Sequence, residues 1–435
     1  MNRDKILNAV SSLLPPEAVL ARDALGPWPK GAELPAAFLA PSTEEEMATL
    51  LREASARGWR VLPAGAGSWL GGWGIPEVDL VVSTIRLDGM GIYEPADLTF
   101  TAGAGMPMAR LREATAAQGQ WLPLDPPGAR KGTLGALVST GVAGPLRLAY
   151  GSPRDHVLGL TLVSGDGRIL RWGGRVVKNV AGFDVTRLSI GSRGTLGIIT
   201  SVAARLFPLP REDRTVLVTG DSSESLLPTA RELAFSSIPL SAVEILERDS
   251  EAGAILVVRL LGTLEEVGEM ERRILDAAKG AGRKVLPVLT GEESRAFHQE
   301  LEAWEEGAAL VCRLALLPSR TDALLARTRE LRGLLGLEGE AEMARALHVG
   351  WGVARVAVRG AFPAGGDPEM ASLGLGTLRK ELEAEGGSLL MSHGPRSLLQ
   401  ALERTGSGGG AGTLLAGLKK TFDPAGILVP GRLET

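Results

Sequence analysis

Val176–Ile199, VVKNVAGFDVTRLSIGSRGTLGII, decides how this chain is read. A Gly-Ser-Arg-Gly-Thr-Leu-Gly turn stands between two apolar runs, a layout suited to holding a large phosphate-bearing cofactor against a sheet. Upstream, residues 61–71, VLPAGAGSWLG, put a second glycine-rich loop directly after a β-rich run. It is not a Rossmann fingerprint. That turn needs G-x-G-x-x-G opening a helix, whereas these glycines are spaced differently and lead through GGWGIPEVD to a strand. Successive glycines instead let backbone N–H groups turn inward as a nest for pyrophosphate oxygens. A third element, 124–155, carries Gly132, Thr133, Gly135, Ala136, Ser139, Gly141 and Gly144, so side-chain bulk is nearly absent and something else is expected to fill the space. Each element alone reads as a surface turn. Three in one half-chain argue for a shared ligand.

At 435 residues the chain exceeds the size at which one core keeps growing, which predicts two domains. An apolar fraction of 44%, a charged fraction of 23% and a net charge of −4 describe an ordinary globular protein and argue against nucleic acid. No run of apolar residues is long enough to span a membrane. The first twenty residues lack a cleavable leader, so a retained cytoplasmic location is expected, peripheral to the inner membrane through partners. Cys312 is the single cysteine, which excludes an internal disulfide and an iron–sulfur cluster held by this chain.

The pattern along the chain predicts an α+β architecture. Ser42 and Glu45 read as a capping box opening a helix that buries Met47, Leu50, Leu51 and Ala54 and ends at Gly58. A second helix has Pro107 in its first turn and stops at Gly119. Segments 157–164 and 168–172 read as a hairpin about Gly165-Asp166-Gly167. A polar link at 208–213 divides a first domain, 1–210, from a cap, 211–395. In the cap, charged helices near 263–281, 320–335 and 368–386 lie on one face of a largely antiparallel sheet. Residues 396–435 hold a glycine loop at 406–412, a last helix and a tail.

These segments resemble the vanillyl-alcohol-oxidase or PCMH type of FAD-binding domain and, within it, the FAD-binding subunits of glycolate oxidases. The resemblance runs through PAGAGSWLGG, GTLGALVSTGVAGPLRLAYGSPRDHVLGL, the opening segment and LKKTFDPAGILVPGRL. It implies two α+β subdomains binding FAD, with the C-terminal tail returning to them. It implies cofactor contacts from Pro63, Gly65, Ala66, Gly67, Ser68, Trp69 and Leu70 at the pyrophosphate. It implies that Thr133, Leu134, Gly135, Ser139, Thr140, Gly141 and Gly144 line the flavin and ribityl region, with Pro126, Gly151, Arg154 and Asp155 as further cofactor contacts. Gly194, Thr195, Gly197, Ile198 and Ile199 belong to the adenine and ribose side. Where covalent members carry His or Cys, this loop has Ser68 and Trp69, which implies noncovalent FAD. Val429 stands where relatives have the Asn of Asn-Pro-Gly.

Catalytic relatives carry a metal-holding His-x-Gly-Asp-Gly-Asn-x-His signature. No such string is found here, and His393 in MSHGPRS reads as its nearest echo, so no metal is expected. In the cap run LHVGWGVARVAVRG, read as one strand, period-two alternation puts Trp351, Arg355 and Arg359 on one face and His348 on the other. Arg355 is a weak candidate for holding a carboxylate. His156 reads as a structural imidazole and His298 as a surface residue. The leading expectation is a noncovalent FAD subunit of a glycolate oxidase-like complex, beside a catalytic flavin subunit and an iron–sulfur subunit. The alternatives are a self-sufficient D-2-hydroxy-acid dehydrogenase and a flavin-free structural subunit.

Overall fold

The computed structural model describes residues 3–26, 28, 32–70, 76–174, 184–337, 341–360, 368–395, 397–399 and 410–429. Gly71, much of the opening segment before Asp184, most of the 406–412 loop and Pro430-Gly431 lie outside these residues.

The N-terminal region builds from helix α1 (Arg3–Leu13), strand β1 (Ala37–Leu39), helix α2 (Glu44–Arg57) and strands β2 (Val61–Ala64) and β3 (Leu80–Ser83). The strands pair in parallel in the order β1-β3-β2. Helix α2 buries Met47, Leu50, Leu51 and Ala54, and Gly58 closes it in the left-handed region. Its cap is shifted one residue from expectation: Thr43 accepts from Glu46 N, while Glu46 Oε2 accepts from the backbone and hydroxyl of Ser42. The Ser42 and Glu45 pair therefore becomes a Thr43 cap with Glu46 reaching back.

A second layer is a five-stranded antiparallel sheet, β4 (Met90–Glu94), β5 (Thr99–Gly103), β7 (Val157–Val163), β8 (Ile169–Gly173) and β9 (Ile198–Arg205), in the order β4-β5-β9-β7-β8. A short pair, β6 (Gln120–Trp121) and β10 (Phe207–Pro208), lies beside it. The expected hairpin is present, with Val163 opposite Ile169 and Gly167 at φ 77° in the turn. Between the strands run α3 (Met108–Ala116), α4 (Leu134–Thr140), α5 (Arg147–Tyr150), α6 (Pro153–His156) and α7 (Val185–Ser189).

From Glu212 onward the chain forms one large antiparallel sheet. Its strands are β11 (Glu212–Gly220), β12 (Ala242–Arg248), β13 (Ala254–Gly262), β14 (Lys284–Val285), β15 (Leu289–Thr290), β16 (Leu310–Ala315), β17 (Glu342–His348), β18 (Val353–Arg359) and β19 (Ser388–His393). The order is β14-β11-β13-β12-β17-β18-β16-β19, with β15 on β11. Alternation segregates its faces. Val216, Val243, Val258, Cys312, Leu347 and Val356 join a core with α8 (Ser223–Ala234), α9 (Leu264–Gly280), α11 (Thr321–Leu334) and α12 (Pro368–Ala384). The opposite face carries Asp213, Glu244, Arg259, Arg313, His348 and Arg355, and meets the first half of the chain. Leu148 of α5 reaches the core cluster of this sheet, where a Cβ on Gly350 would sit 2.4 Å from its Cδ1.

The helix Gly410–Phe422 and the residues after it return to the N-terminal sheet. Val61 N donates to Ile427 O at 2.8 Å and Val429 N to Val61 O at 2.9 Å, so the tail lies beside β2 at the root of the first glycine loop.

Candidate functional site

Three segments converge on one cleft of about 810 Å³, part of it open to solvent. Strand β2 supplies Pro63, and the loop after it Gly65, Gly67, Ser68, Trp69 and Leu70. Helix α4 supplies Gly135, Ser139 and Thr140, and the end of the opening segment supplies Gly194, Gly197, Ile198 and Ile199. All were expected sites, and the fold brings them together. Ala64 and Ala136, inside the expected segments, line the cleft too, and Leu62, Pro76, Thr84 and Arg193 join them without having been singled out. The backbone links the walls directly: Arg193 N donates to Ser139 O at 2.8 Å and Gly191 N to Val138 O at 3.1 Å.

The other expected residues stand off the cleft wall. Ala66 is on the first loop, between two lining glycines. Thr133 caps α4 by accepting from Ala136 N, Leu134 is core, and Gly141 closes the helix. Gly144 packs on Asp125, and the Pro126 carbonyl accepts from Ala129 N. Gly151, Arg154 and Asp155 belong to the turn around α6, where Asp155 accepts from the Ser152 backbone at 2.7 Å. Thr195 donates its hydroxyl to Ser192 O at 2.6 Å.

The glycines serve a purpose other than leaving room for a ligand. A Cβ on Gly65 would lie 2.3 Å from Thr133 Oγ1, and one on Gly135 would lie 2.5 Å from Ala104 Cβ. Protein already fills those positions. Side-chain bulk is absent because the loop, α4 and β5 approach to backbone contact, and that approach shapes the cleft. The chemistry of the cleft suits a dinucleotide. Apolar walls from Leu62, Trp69, Leu70, Ile198 and Ile199 accept rings, exposed backbone accepts phosphate oxygens, and Arg193 adds a guanidinium that matches phosphate geometry. Ser192 Oγ is buried with no hydrogen-bond partner among the described residues.

The cap corrects the reading of 347–360 as one strand. Residues Val349–Trp351 form a 3₁₀ turn, so His348 ends β17 and Arg355 lies on the returning β18. The two side chains share a face. Arg355 Nε donates to His348 Nε2 at 3.0 Å, and His348 Nδ1 lies 3.0 Å from Glu244 Oε1, at an angle too bent for a regular hydrogen bond. All three are buried, with exposures of 0% for His348, 1% for Glu244 and 3% for Arg355. Since guanidinium only donates, Nε2 is an acceptor and the proton sits on Nδ1. Burial pushes the His348 pKa down, with the nearby Glu244 opposing. Trp351 stacks on this imidazole at 4.6 Å, and the Arg147 guanidinium lies over Trp351 at 4.8 Å. Arg355 also donates to Glu305 at 3.1 Å.

Arg313 stands opposite Arg355 in the sheet, and its side chain makes no hydrogen bond or ion pair among the described residues. Burial and then Arg355 push its pKa down to about 10. Nearby, burial pushes the Asp125 carboxyl up to about 7, and Arg259 forms a two-pronged pair with Asp213 at 2.7 and 3.2 Å.

His298 is buried rather than on the surface, at 6% exposure, and its Nε2 is 2.9 Å from Thr215 Oγ1. The charged helix α10 (Glu292–Glu302) turns one face into the domain junction, which a count of its charges does not reveal. His156 is also fully buried, and neither ring nitrogen meets a partner with hydrogen-bond geometry. His393 lies on edge strand β19 opposite Val311, separated from His348 by β16 and β18. It is also not the nearest echo of the metal signature. His348-Val-Gly-Trp-Gly-Val-Ala-Arg355 keeps the first His and both glycines at the signature's spacing, with Trp351, Val353 and Arg355 in place of its Asp, Asn and second His. Matching spacing instead of the whole string would have found it.

Comparison with known proteins places these features. A model of an FAD binding domain matches residues 35–173, and one of the C-terminal domain of FAD linked oxidases matches residues 209–433. The chain is 28% identical over 316 residues to the glycolate oxidase subunit GlcD of Bacillus subtilis, covering 69% of this chain and 67% of that protein. It is 44% identical over 120 residues to the glycolate oxidase subunit GlcE of Escherichia coli, covering 27% and 34%. To the D-lactate dehydrogenase of Archaeoglobus fulgidus it is 30% identical over 251 residues, covering 54% and 56%. The matched stretches thus span from about a third to two thirds of these relatives. In fold it is similar to p-cresol methylhydroxylase with substrate bound, at a TM-score of 0.75 with 17% identity over 100% of this chain and 98% of that one. A structure of alkyldihydroxyacetonephosphate synthase gives 0.74 with 14% identity over 99% and 85%.

Proposed function

Because this chain belongs to the FAD-linked oxidases, with their PCMH-type FAD-binding fold and FAD as its cofactor, we propose that it is the noncovalent FAD subunit of a glycolate oxidase-like complex. In this reading it supports electron transfer from a catalytic flavin subunit, where the 2-hydroxy acid is oxidised, to an iron–sulfur subunit. Residues 1–210 form the FAD-binding domain, 211–395 the cap and 396–435 the returning segment. The similarity to both GlcD and GlcE supports a shared assembly.

One observation carries the division of labour: the described residues form a cleft suited to FAD, while the cap cluster is closed on itself. His348, the imidazole a base would need, has Nε2 engaged by Arg355 and its ring face covered by Trp351. Bound FAD supplies the capacity to take electrons in pairs and release them singly. The protein's part is to hold it through the loop after β2, α4 and residues 193–199, and to exclude water with the tail packed on β2. Purified alone, the chain is expected to be yellow, to release its flavin on acid precipitation, and to show little oxidation of glycolate or D-lactate with an artificial acceptor. Brisk turnover by the isolated chain would overturn the reading.

A second reading has its own support in Arg147, Arg313 and Arg355, three guanidinium groups at the junction with Arg313 lacking an ion-pair partner among the described residues. Such a cluster suits a carboxylate, as a self-sufficient D-2-hydroxy-acid dehydrogenase requires. Anaerobic addition of glycolate or D-lactate to the lone protein separates the two, since flavin bleaching within seconds favours the second.

A further inference from the structure

We infer that Arg355 takes the place of a divalent metal ion in the cap, and that this one side chain is what keeps metal out. The sheet order sets Glu244 on β12, His348 on β17 and Arg355 on β18, three adjacent strands, with all three side chains on the face turned toward the FAD domain. A histidine at 355 would set two imidazoles about the space now held by the guanidinium, whose Nη2 lies 4.0 Å from Glu244 Oε1, and two imidazoles with one carboxylate suit zinc and its neighbours.

The residues present do not fit a metal. His348 Nε2, the nitrogen that would bind it, accepts from Arg355 Nε at 3.0 Å. Its other nitrogen faces Glu244. A divalent ion on Nε2 would have to displace a guanidinium that Glu305 and the face of Trp304, 5.1 Å away, also hold in place. With Glu244, His348 and Arg355 all buried, little solvent screens the repulsion between two cations in that space. Trp351 occupies the signature position of the aspartate and covers the imidazole face, which leaves the in-plane lone pair of Nε2 to Arg355 alone.

The exchange preserves positive charge and removes Lewis acidity. A guanidinium stays protonated and donates hydrogen bonds, yet it has no orbital with which to bind a hydroxyl oxygen and lower its pKa. This inference rests on the proposed reading for its functional meaning, since it removes alcohol activation from this chain, but its test reads metal and not turnover.

The FAD-loaded protein, Arg355→His, Arg355→His with His348→Ala, and His348→Ala alone are stripped with EDTA, titrated with Zn²⁺ by calorimetry and assayed for retained zinc after gel filtration. Flavin absorbance and thermal melting confirm the fold of each. The wild type is expected to hold far less than one equivalent, Arg355→His about one, and the double variant far less again. A folded, flavin-bearing Arg355→His that binds no zinc overturns the inference. So does a wild-type protein that binds one equivalent and loses it with His348→Ala, a comparison that stands even if Arg355→His fails to hold flavin.

Discussion

Lys419 Nζ lies 2.6 Å from Asp423 Oδ2, one helical turn along, and both side chains are sealed from solvent. The same ammonium donates to the carbonyls of Thr195 at 3.0 Å and Leu428 at 2.6 Å, while Asp423 accepts from the backbone of Ile427 and Leu428. Every charge in the pair is thus hydrogen-bonded. The pair ties the last helix and the tail to the 194–199 wall of the cleft.

Breaking it should therefore unseat the cofactor as well as the tail. Lys419→Met leaves Asp423 buried without its countercharge, a loss of about 3–5 kcal/mol. Urea unfolding should show that loss, and flavin fluorescence should show release of FAD at dilutions where the wild type retains it.

Gly135 tests whether the glycines shape the cleft by close packing. A Cβ there meets Ala104 Cβ at 2.5 Å and Ala104 O at 2.9 Å, so Gly135→Ala must push α4 away from the end of β5. We expect a loss of about 1–3 kcal/mol and weaker binding of FAD to the apoprotein in a fluorescence titration. Gly174→Ala, with open space around its Cβ, should leave FAD binding unchanged.

The cap is held to the FAD domain by Arg112, which donates to both carboxylate oxygens of Glu302 at 3.2 and 3.1 Å and to Leu124 O. The Lys131 to Glu306 pair is more exposed. A double-mutant cycle on Arg112 and Glu302 should give a coupling of about 1 kcal/mol, against a few tenths for Lys131 and Glu306. Hydrogen exchange should rise in α10 when Arg112 is replaced by alanine.

Two buried groups give the pH dependence opposite slopes. Asp125 is pushed up to about 7 by burial, with Arg259 opposing. Its folded form keeps a proton that the unfolded chain releases near pH 4, so stability from this group is whole below about pH 4 and lost as pH rises toward 7. His156 is pushed down to about 4 by burial and then by Arg205. Its contribution is present above about pH 6.5 and lost as pH falls toward 4. Relative to wild type, Asp125→Asn should gain on the order of 2–4 kcal/mol at pH 8 over its effect at pH 4, while His156→Phe should gain as pH falls below 6.5. Urea midpoints at pH 4.5, 6 and 8 check both signs.

Much of this molecule was legible locally. The apolar spacing of α2 with Gly58 behind it, the hairpin of β7 and β8, the positions of the cap helices and the three glycine segments all follow from interactions within a few residues of chain. The family resemblance of those segments pointed to FAD. What sequence spacing left open was every relation made across strands or domains. Alternation assigns faces only along an unbroken strand, and the 3₁₀ turn at Val349–Trp351 reverses the chain, so His348 and Arg355 meet instead of pointing apart. Likewise, the space beside Gly65 and Gly135 is filled by Thr133 and Ala104, residues whose approach depends on how loop, helix and sheet dock. His298 is buried because its helix faces the junction, and Lys419 reaches Thr195 because the tail returns to β2. The sequence by itself determined the capped helices and the hairpin, which rest on short-range pattern, and its family resemblance gave the cofactor class. The tertiary structure alone decided which charges meet, because burial and register belong to the packed chain.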